Sequence, residues 1–386
     1  MSQATSPSYI SIGPRVHKSP FYEATLRHGA KAFTIYNHTY LPTSYGDDVA
    51  DYWSLVNDVT LWDVACQRQV EISGPDALKF IQFLTPRDMF RCEVGQCQYM
   101  ALTNQDGGIV NDAIMLRVGE QLFWLSPGDG DVLWWAMGVA VNSGMDINVS
   151  EPDVSPLQLQ GPKSPLVARD LFVDWAVEMK YYRLRETTLD GIPLVVSRTG
   201  WSGELGYELY LRDGRHGDQL WERVMAAGRP YNIAATAPST IRSIEGGLLS
   251  YASDITLADD PYVIGMGRYV DFEQSGDFVG REALRKIRSE GPARQLVGIQ
   301  IQGDALAAPN EEFWDITDGN SKIGHVTRCA HSPRLEKNIG WANVTVEFAK
   351  TGTELFVISP QGVRPATVCK APWFEPQIRI PDEMKN

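Results

Sequence analysis

The sequence predicts an α+β chain in which two related α/β-type halves precede a small all-β domain. Three observations predict it. The 386 residues exceed what one ordinary hydrophobic core organises, so two or three domains are expected. One device occurs twice: Gln69-Val70-Glu71-Ile72 runs through Gly74-Pro75 into a helical stretch at Asp76-Ala77-Leu78, and Leu157-Gln158-Leu159-Gln160 runs through Gly161-Pro162 into another at Lys163-Ser164. Proline so early in a helix is tolerated because its missing N–H would find no helical partner there. Two such junctions in matching contexts point to related halves, not to a short-period solenoid. From about Gly280 the texture changes to short alternating runs with few helical patterns, which suits a small barrel or sandwich.

Taken in order, residues 1–20 are rich in Ser and Pro and read as an arm with little structure. Phe33-Thr34-Ile35-Tyr36 reads as a strand, Asn37 to Pro42 as a loop, and Asp47 to Val59 as a helix. Leu61-Trp62-Asp63-Val64 and Gln69 to Ile72 are short strands. Gln98 to Thr103 and Ile109 to Leu116 flank an Asp106-Gly107-Gly108 turn and predict a hairpin. Phe123 to Ser126 pairs next, and Asp129 to Val141 reads as a helix carrying Trp134 and Trp135. The run Val195 to Tyr210 holds Gly200, Gly203 and Gly206 between apolar strand-like ends, a second hairpin. His216 to Ala227 and Ser239 to Tyr251 read as helices. Strands then follow at Ala293 to Ile301, Ile323 to Val326, Ile339 to Val344 and Glu354 to Ile358. The expected division is an arm over 1–20, a first domain over 21–150 that takes in part of 240–280, a second over 151–280, and the all-β domain over 281–386.

The totals exclude several function classes. A net charge of −13 argues against nucleic-acid binding, which needs a basic patch or stripe. No apolar run reaches the ~18 residues a membrane helix requires, and the N-terminus shows no signal-peptide pattern. Five cysteines form no disulfide framework and six histidines no ligand-spaced cluster, so the expectation is a reduced, cytoplasmic protein without a metal. There is no G-x-G-x-x-G opening a helix and no Walker loop. Gly200-Trp201-Ser202-Gly203 lacks the spacing of a nucleophile elbow.

Two carboxylates and a set of aromatics remain as chemistry. Asp112 sits in an otherwise apolar strand; if it faces inward it needs a partner, because an isolated buried carboxylate is strongly disfavoured, and a solvent-facing strand position explains it equally well. Glu208, in Tyr207-Glu208-Leu209-Tyr210, poses the same question. Such carboxylates suit an N–H-rich heterocycle like a pterin, whose amidine-like edge one carboxylate grips with paired hydrogen bonds. Tyr99, Trp124, Tyr182, Trp201 and Tyr207 lie near Gly-rich or polar turns and could wall a flat or cationic ligand. For Trp134, Trp135 and Trp175 plain core packing is the better reading.

These blocks together resemble the family of the glycine-cleavage T-protein, folate-dependent aminomethyltransferases, over nearly the whole chain. The matching stretches are Trp62-Asp63-Val64, Gly107 through Asp112, Leu159-Gln160-Gly161-Pro162, Ser197 through Glu208, and Ser332-Pro333 through Lys337-Asn338-Ile339-Gly340. Within that family the first half looks most like the dimethylsulfoniopropionate demethylase branch, through Tyr36-Asn37-His38, Ala65-Cys66-Gln67-Arg68 and Pro86-Arg87-Asp88. The resemblance implies two related domains around a central folate cavity plus a small β barrel. It also implies tetrahydrofolate as co-substrate, a small-molecule methyl donor, and a monomer or homodimer. By analogy Asp112 sits at the reacting nitrogen, with Tyr99, Asp112, Trp201, Tyr207, Glu208 and Arg242 toward folate and Tyr36, Trp62, Trp124 and Tyr182 toward the donor. The implied reaction is methyl transfer from a small onium compound, dimethylsulfoniopropionate first, to tetrahydrofolate. The alternatives are demethylation of a methoxylated aromatic acid or methylated amine, glycine-cleavage aminomethyl transfer, and a non-catalytic folate-binding regulator. The chain departs from the demethylase branch at Gly203 and Glu204, where it is closer to the T-protein form, and from the family at Ser243 where an arginine is usual, at Tyr251-Ala252-Ser253-Asp254 in place of Y-G-N-D, and at Val263 where a glutamate is common.

Overall fold

A computed structural model describes residues 12–385. The first half builds a five-stranded antiparallel sheet in the order Gln96–Thr103, Ile109–Gly119, Leu122–Pro127, Val70–Ser73, Asn148–Ser150. The second builds a six-stranded sheet, Leu184–Leu189, Ile192–Ser197, Gly206–Leu211, Ser155–Gln160, Val59–Asp63, Ile233–Ala235, in which only the last pair is parallel. Val59–Asp63 comes from the first half, so sheet membership crosses the expected boundary at residue 150. The two Gly-Pro junctions are the same device in three dimensions: Gly74 and Gly161 both take φ +124°, and a Cβ on either would lie 2.6 Å from a backbone carbonyl oxygen. Only glycine fits such a position. The helices Ala77–Phe83 and Ser164–Phe172 follow.

Alternation decides which face each strand buries. Tyr207, Leu209 and Leu211 enter the core beneath the helices Ser164–Phe172 and Gly217–Gly228, with Leu220 and Trp221 opposite. Tyr210 and Val195 face the other way and meet Cys97, Leu116 and Trp124 of the first sheet. The two sheets touch there, sealed by the bridge between Gln96 and Arg183 and by Cys97 N donating to Tyr182 O at 2.9 Å.

The C-terminal strands close into a six-stranded antiparallel barrel, Arg294–Ile301, Lys337–Thr345, Lys322–Ser332, Trp314–Thr317, Glu354–Ser359, Gly362–Cys369, which decides between barrel and sandwich. A further apolar cluster joins Ala101 and Ile109 of the first sheet, Ile244, Ile255 and Val263 of the connecting segment, and Ala330, Ile339 and Trp341 of the barrel. All three parts therefore meet at one place.

Several local expectations are corrected. Asn37 to Pro42 is not a loop: Asn37 and His38 take φ 46° and 58°, the positive angles a two-residue hairpin turn needs, and Thr39–Ser44 pairs back on Ala32–Tyr36. The helix begun at Thr240 stops at Gly246, because Gly247 adopts the left-handed conformation. The helix Arg281–Glu290 and the strands Trp314–Thr317 and Gly362–Cys369 add to the expected elements. Residues 1–11 of the expected arm lie outside the described residues; from there the chain is fastened, with His17 bridged to Thr39 and the Ser19 hydroxyl donating to Asp63.

Candidate active site

Asp112 projects from the Ile109–Gly119 strand and accepts a hydrogen bond at 2.7 Å from the hydroxyl of Tyr99, which lies diagonally opposite on Gln96–Thr103, two residues from its partner Ala101. Burial pushes its carboxyl up to about 6, the donation from Tyr99 working the other way. Tyr99 in turn is held well above the ordinary phenol value, first by burial and then by the charge of Asp112. The pair is a carboxylate poised near neutrality in a surround of tyrosines. Tyr36 belongs to it as well: burial and then the charges of Cys66, Asp112 and Asp129 hold its hydroxyl up.

Tyr36 reaches Asp112 through a turn that docks on the next loop. Asn37 N donates to Asp129 Oδ1 at 2.8 Å, Asn37 Nδ2 to Gly128 O at 2.9 Å, and Gly130 N back to Asn37 Oδ1 at 2.7 Å. Asn111 Nδ2 completes the knot by donating to Asp129 O at 2.8 Å. Gly128 is required here, since a Cβ would lie 2.9 Å from Tyr251 and 3.2 Å from Asp112 Oδ1.

Glu208 lies on the face of Gly206–Leu211 that looks toward the first sheet, and it is 3% exposed. Gln158 Nε2 donates to Oε1 at 2.8 Å, and the Thr199 hydroxyl donates to Oε2. Burial raises its carboxyl, and Thr199, Gln158 and Tyr210 lower it. A carboxylate has about four lone-pair positions; with Gln158 on one oxygen and Thr199 on the other, Glu208 has capacity left for an N–H donor. Between Glu208 and Asp112 stand tyrosines. Tyr181 feels the charge of Glu208, Tyr182 packs edge-on against it with ring centroids 4.6 Å apart, and Tyr269 is near Tyr99, Tyr181 and Tyr182. A recess lined by Tyr181, Thr199, Gly203, Glu204, Leu248 and Gln377 opens beside the Thr199–Glu208 pair.

The residues singled out in the sequence thus fall into two groups. Asp112, Tyr99, Glu208, Trp201, Tyr182 and Tyr36 converge on this region. Tyr207 does not: it is fully buried on the opposite face, its hydroxyl donating to Ala176 O at 2.9 Å under Arg198. Trp62 is fully buried and donates to Thr236 Oγ1 at 2.8 Å. Trp124 packs on Tyr210 between the sheets and donates to Glu71 Oε2 at 3.0 Å. Arg242, 1% exposed, is engaged by Glu204 through Nε at 2.6 Å. Gly203, at φ +67°, lies under the same guanidinium, so the departure at Gly203 and Glu204 serves to bury Arg242.

Sequence reasoning missed Tyr181, Thr199, Gln158 and Tyr269, and also Tyr251 beside Gly128 and Arg328, whose guanidinium lies 5.6 Å from the centroid of the Trp201 ring. Thr199 and Gln158 were findable, Gln158 as the strand partner of Glu208 and Thr199 in the Gly-rich turn that leads to it. Tyr251 stood in a quoted block without a role. Arg328, deep in a barrel strand, carried no local signal. Among the described residues no group of three or more His, Cys, Asp or Glu side chains could hold a metal ion, and no helix is long and apolar enough to cross a membrane.

Comparison with known proteins accords with this geometry. Residues 21–274 match the GCVT N-terminal domain family and residues 294–375 the glycine cleavage T-protein C-terminal barrel domain. The chain is 36% identical over 359 residues to the dimethylsulfoniopropionate demethylase DmdA of Ruegeria pomeroyi, covering 93% of this chain and 98% of that one. It is 29% identical over 369 residues to an aminomethyltransferase of Symbiobacterium thermophilum, covering 92% and 97%. The glycine cleavage system aminomethyltransferase T of Bartonella henselae shares the fold with a TM-score of 0.84, at 23% identity over 94% of this chain and 99% of that structure. Matched by family in both its parts and by a relative along almost all of its length, the chain belongs to the glycine-cleavage T-protein, or aminomethyltransferase, family.

Proposed function

We propose that this one-carbon transferase is a tetrahydrofolate-dependent demethylase that moves a methyl group from a small onium donor, dimethylsulfoniopropionate being the favoured one, to tetrahydrofolate. The observation that carries the reading is the Tyr99–Asp112 pair, a carboxylate near neutrality that faces the same tyrosines as the pterin-competent Glu208. The likeness to the demethylase along nearly the whole chain supports the donor class.

When bound, tetrahydrofolate supplies the nucleophilic nitrogen N5. Glu208, steadied by Gln158 and Thr199, would grip the amidine edge of the pterin, and Trp201 and Tyr99 would wall the ring. A sulfonium donor already carries an electrophilic methyl group and leaves as a neutral thioether. The protein therefore has to align the S–CH3 axis with N5 and exclude water; positioning of this kind contributes ~7–11 kcal/mol. Asp112, ionised above about pH 6, would take up the proton given off on methylation, and Tyr99 would keep the carboxylate aimed. Tyr36 and Tyr182 would wall the donor, although binding the sulfonium tightly in its ground state would not speed the step.

The test is a donor panel scored by 5-methyl-tetrahydrofolate with purified enzyme. Product from dimethylsulfoniopropionate upholds the reading. No product from it, with turnover of a methoxylated aromatic acid, a methylated amine or an aminomethyl-lipoyl carrier, moves the enzyme to another branch. Tight folate binding without turnover of any donor makes it a binding protein.

A further inference from the structure

The barrel strand Lys322–Ser332 carries a β-bulge: Val326 pairs with Ala342 and Arg328 with Trp341, leaving Thr327 as the extra residue. Along a regular strand, neighbours point to opposite faces; a bulge re-aims one of them, often beside a functional site. Here it lets two consecutive side chains reach one buried carboxylate. Thr327 Oγ1 donates to Asp254 Oδ1 at 2.5 Å and Arg328 Nε to Asp254 Oδ2 at 2.7 Å. Arg328 then reaches two more acceptors on the connecting segment, Ser243 Oγ from Nη1 at 2.9 Å and Leu248 O from Nη2 at 2.7 Å. The same guanidinium lies 5.6 Å from the centroid of the Trp201 ring, whose Nε1 donates to Leu249 O at 3.1 Å. Trp201 is thus held at its edge by the segment and on one face by the arginine that organises that segment.

A salt bridge to Asp254 alone would be enough to dock the barrel. Three acceptors and an aromatic face served by one planar group is a geometry that arginine supplies and lysine does not. The hydroxyl of Ser243 leaves room for this guanidinium and accepts from it.

We propose that Arg328 is a positioning residue of the one-carbon site, through which the C-terminal barrel fixes the Trp201 indole in the orientation that faces the folate ring. The proposal rests on the reading of Trp201 as a folate wall. The test compares the full-length wild type with Arg328→Lys, which keeps the charge and loses the fork. Michaelis constants for tetrahydrofolate and dimethylsulfoniopropionate are measured separately, and acrylamide quenching is followed for the emission component that Trp201→Phe removes. In Arg328→Lys the KM for folate should rise about tenfold while that for the donor stays within about twofold, the split expected when one ligand's wall is loosened. In the ligand-free protein, quenching of the Trp201 component should at least roughly double, because the ring loses its ordered neighbour. If Arg328→Lys does not fold, Arg328→Met/Asp254→Asn removes both charges together and serves the same comparison. Unchanged Trp201 quenching overturns the proposal, and so does a loss of stability with both KM values moving equally. If the wild type forms no methylfolate from any donor, the functional reading fails by itself, and the quenching comparison alone decides whether Arg328 holds the ring.

Discussion

Replacing Asp112 by Asn should make the protein more stable and less active, and the gain in stability should depend on pH. Burial raises the carboxyl from its ordinary value to about 6, so the folded state disfavours the ionised form. Below about pH 4 both folded and unfolded chains hold the proton, and Asp112 contributes no pH-dependent term. As pH rises the unfolded chain ionises first, and the penalty grows until the folded group ionises too, above about 6. The shift is about two units at about 1.4 kcal/mol each, so ionised Asp112 costs the fold up to about 3 kcal/mol. Asn keeps the size and can still accept from Tyr99, so the variant removes that penalty at little packing cost. The assay is chemical denaturation of wild type and Asp112→Asn at pH 4.5 and pH 8, alongside methylfolate formation. The stability difference should be small at the lower pH and about 2–3 kcal/mol in favour of the variant at the higher. Turnover should fall about 100-fold or more, the scale of a lost acid–base group, and wild-type kcat/KM should rise with pH through about 6. A stability difference that is the same at both pH values, or a variant less stable at pH 8, refutes the buried-carboxylate argument.

Three further outcomes are expected. Glu208→Gln keeps the shape but removes the charge-assisted grip, worth about 1.5–3 kcal/mol; folate affinity by calorimetry should fall about 10- to 100-fold, with the donor KM nearly unchanged. Arg242→Met strands the buried Glu204 carboxylate and should lower stability by about 3–5 kcal/mol, whereas Arg242→Met/Glu204→Leu should recover most of it, because a buried pair can be replaced by apolar groups; urea midpoints check both. Gly161→Ala forces a side chain at φ +124° onto Asp58 O and should cost more than Gly191→Ala, where φ is +84° and nothing lies within 4 Å; the second should cost about 1–2 kcal/mol, and thermal unfolding ranks the two.

The fold was legible where the pattern is local. Alternation and turn chemistry found the Gln96–Thr103 and Ile109–Gly119 hairpin, and Gly-Pro at 74–75 and 161–162 marked two junctions that prove identical in backbone angle. Two other features hid because their cause is distant or subtle. Asn37 and His38 looked like loop residues, yet their tolerance of positive φ makes a hairpin whose tip is held by Asp129 from 92 residues away. The strand Gly362–Cys369 opens on exposed positions and shows little apolar alternation. Closure of the barrel, which no single run reveals, is what pairs it on both sides.

For the site, strand parity is the sharper lesson. Tyr207 and Glu208 are neighbours on one strand, so their side chains point to opposite faces, and both could not wall the same ligand. That conflict was present in the sequence, and the structure turns Tyr207 into the core beneath the helices and Glu208 to the opposite face, onto Gln158. Parity fails only where the backbone inserts a residue. At Thr327 the bulge lets two successive side chains serve one carboxylate. This is why Arg328, 74 residues beyond Asp254 in the chain, gave no periodic signal. Asp112 and Glu208 were legible because a polar residue in an apolar strand is conspicuous. Arg328 and Ser243 were not, because arginine and serine in a barrel strand or helix read as ordinary surface until the chain is closed around them.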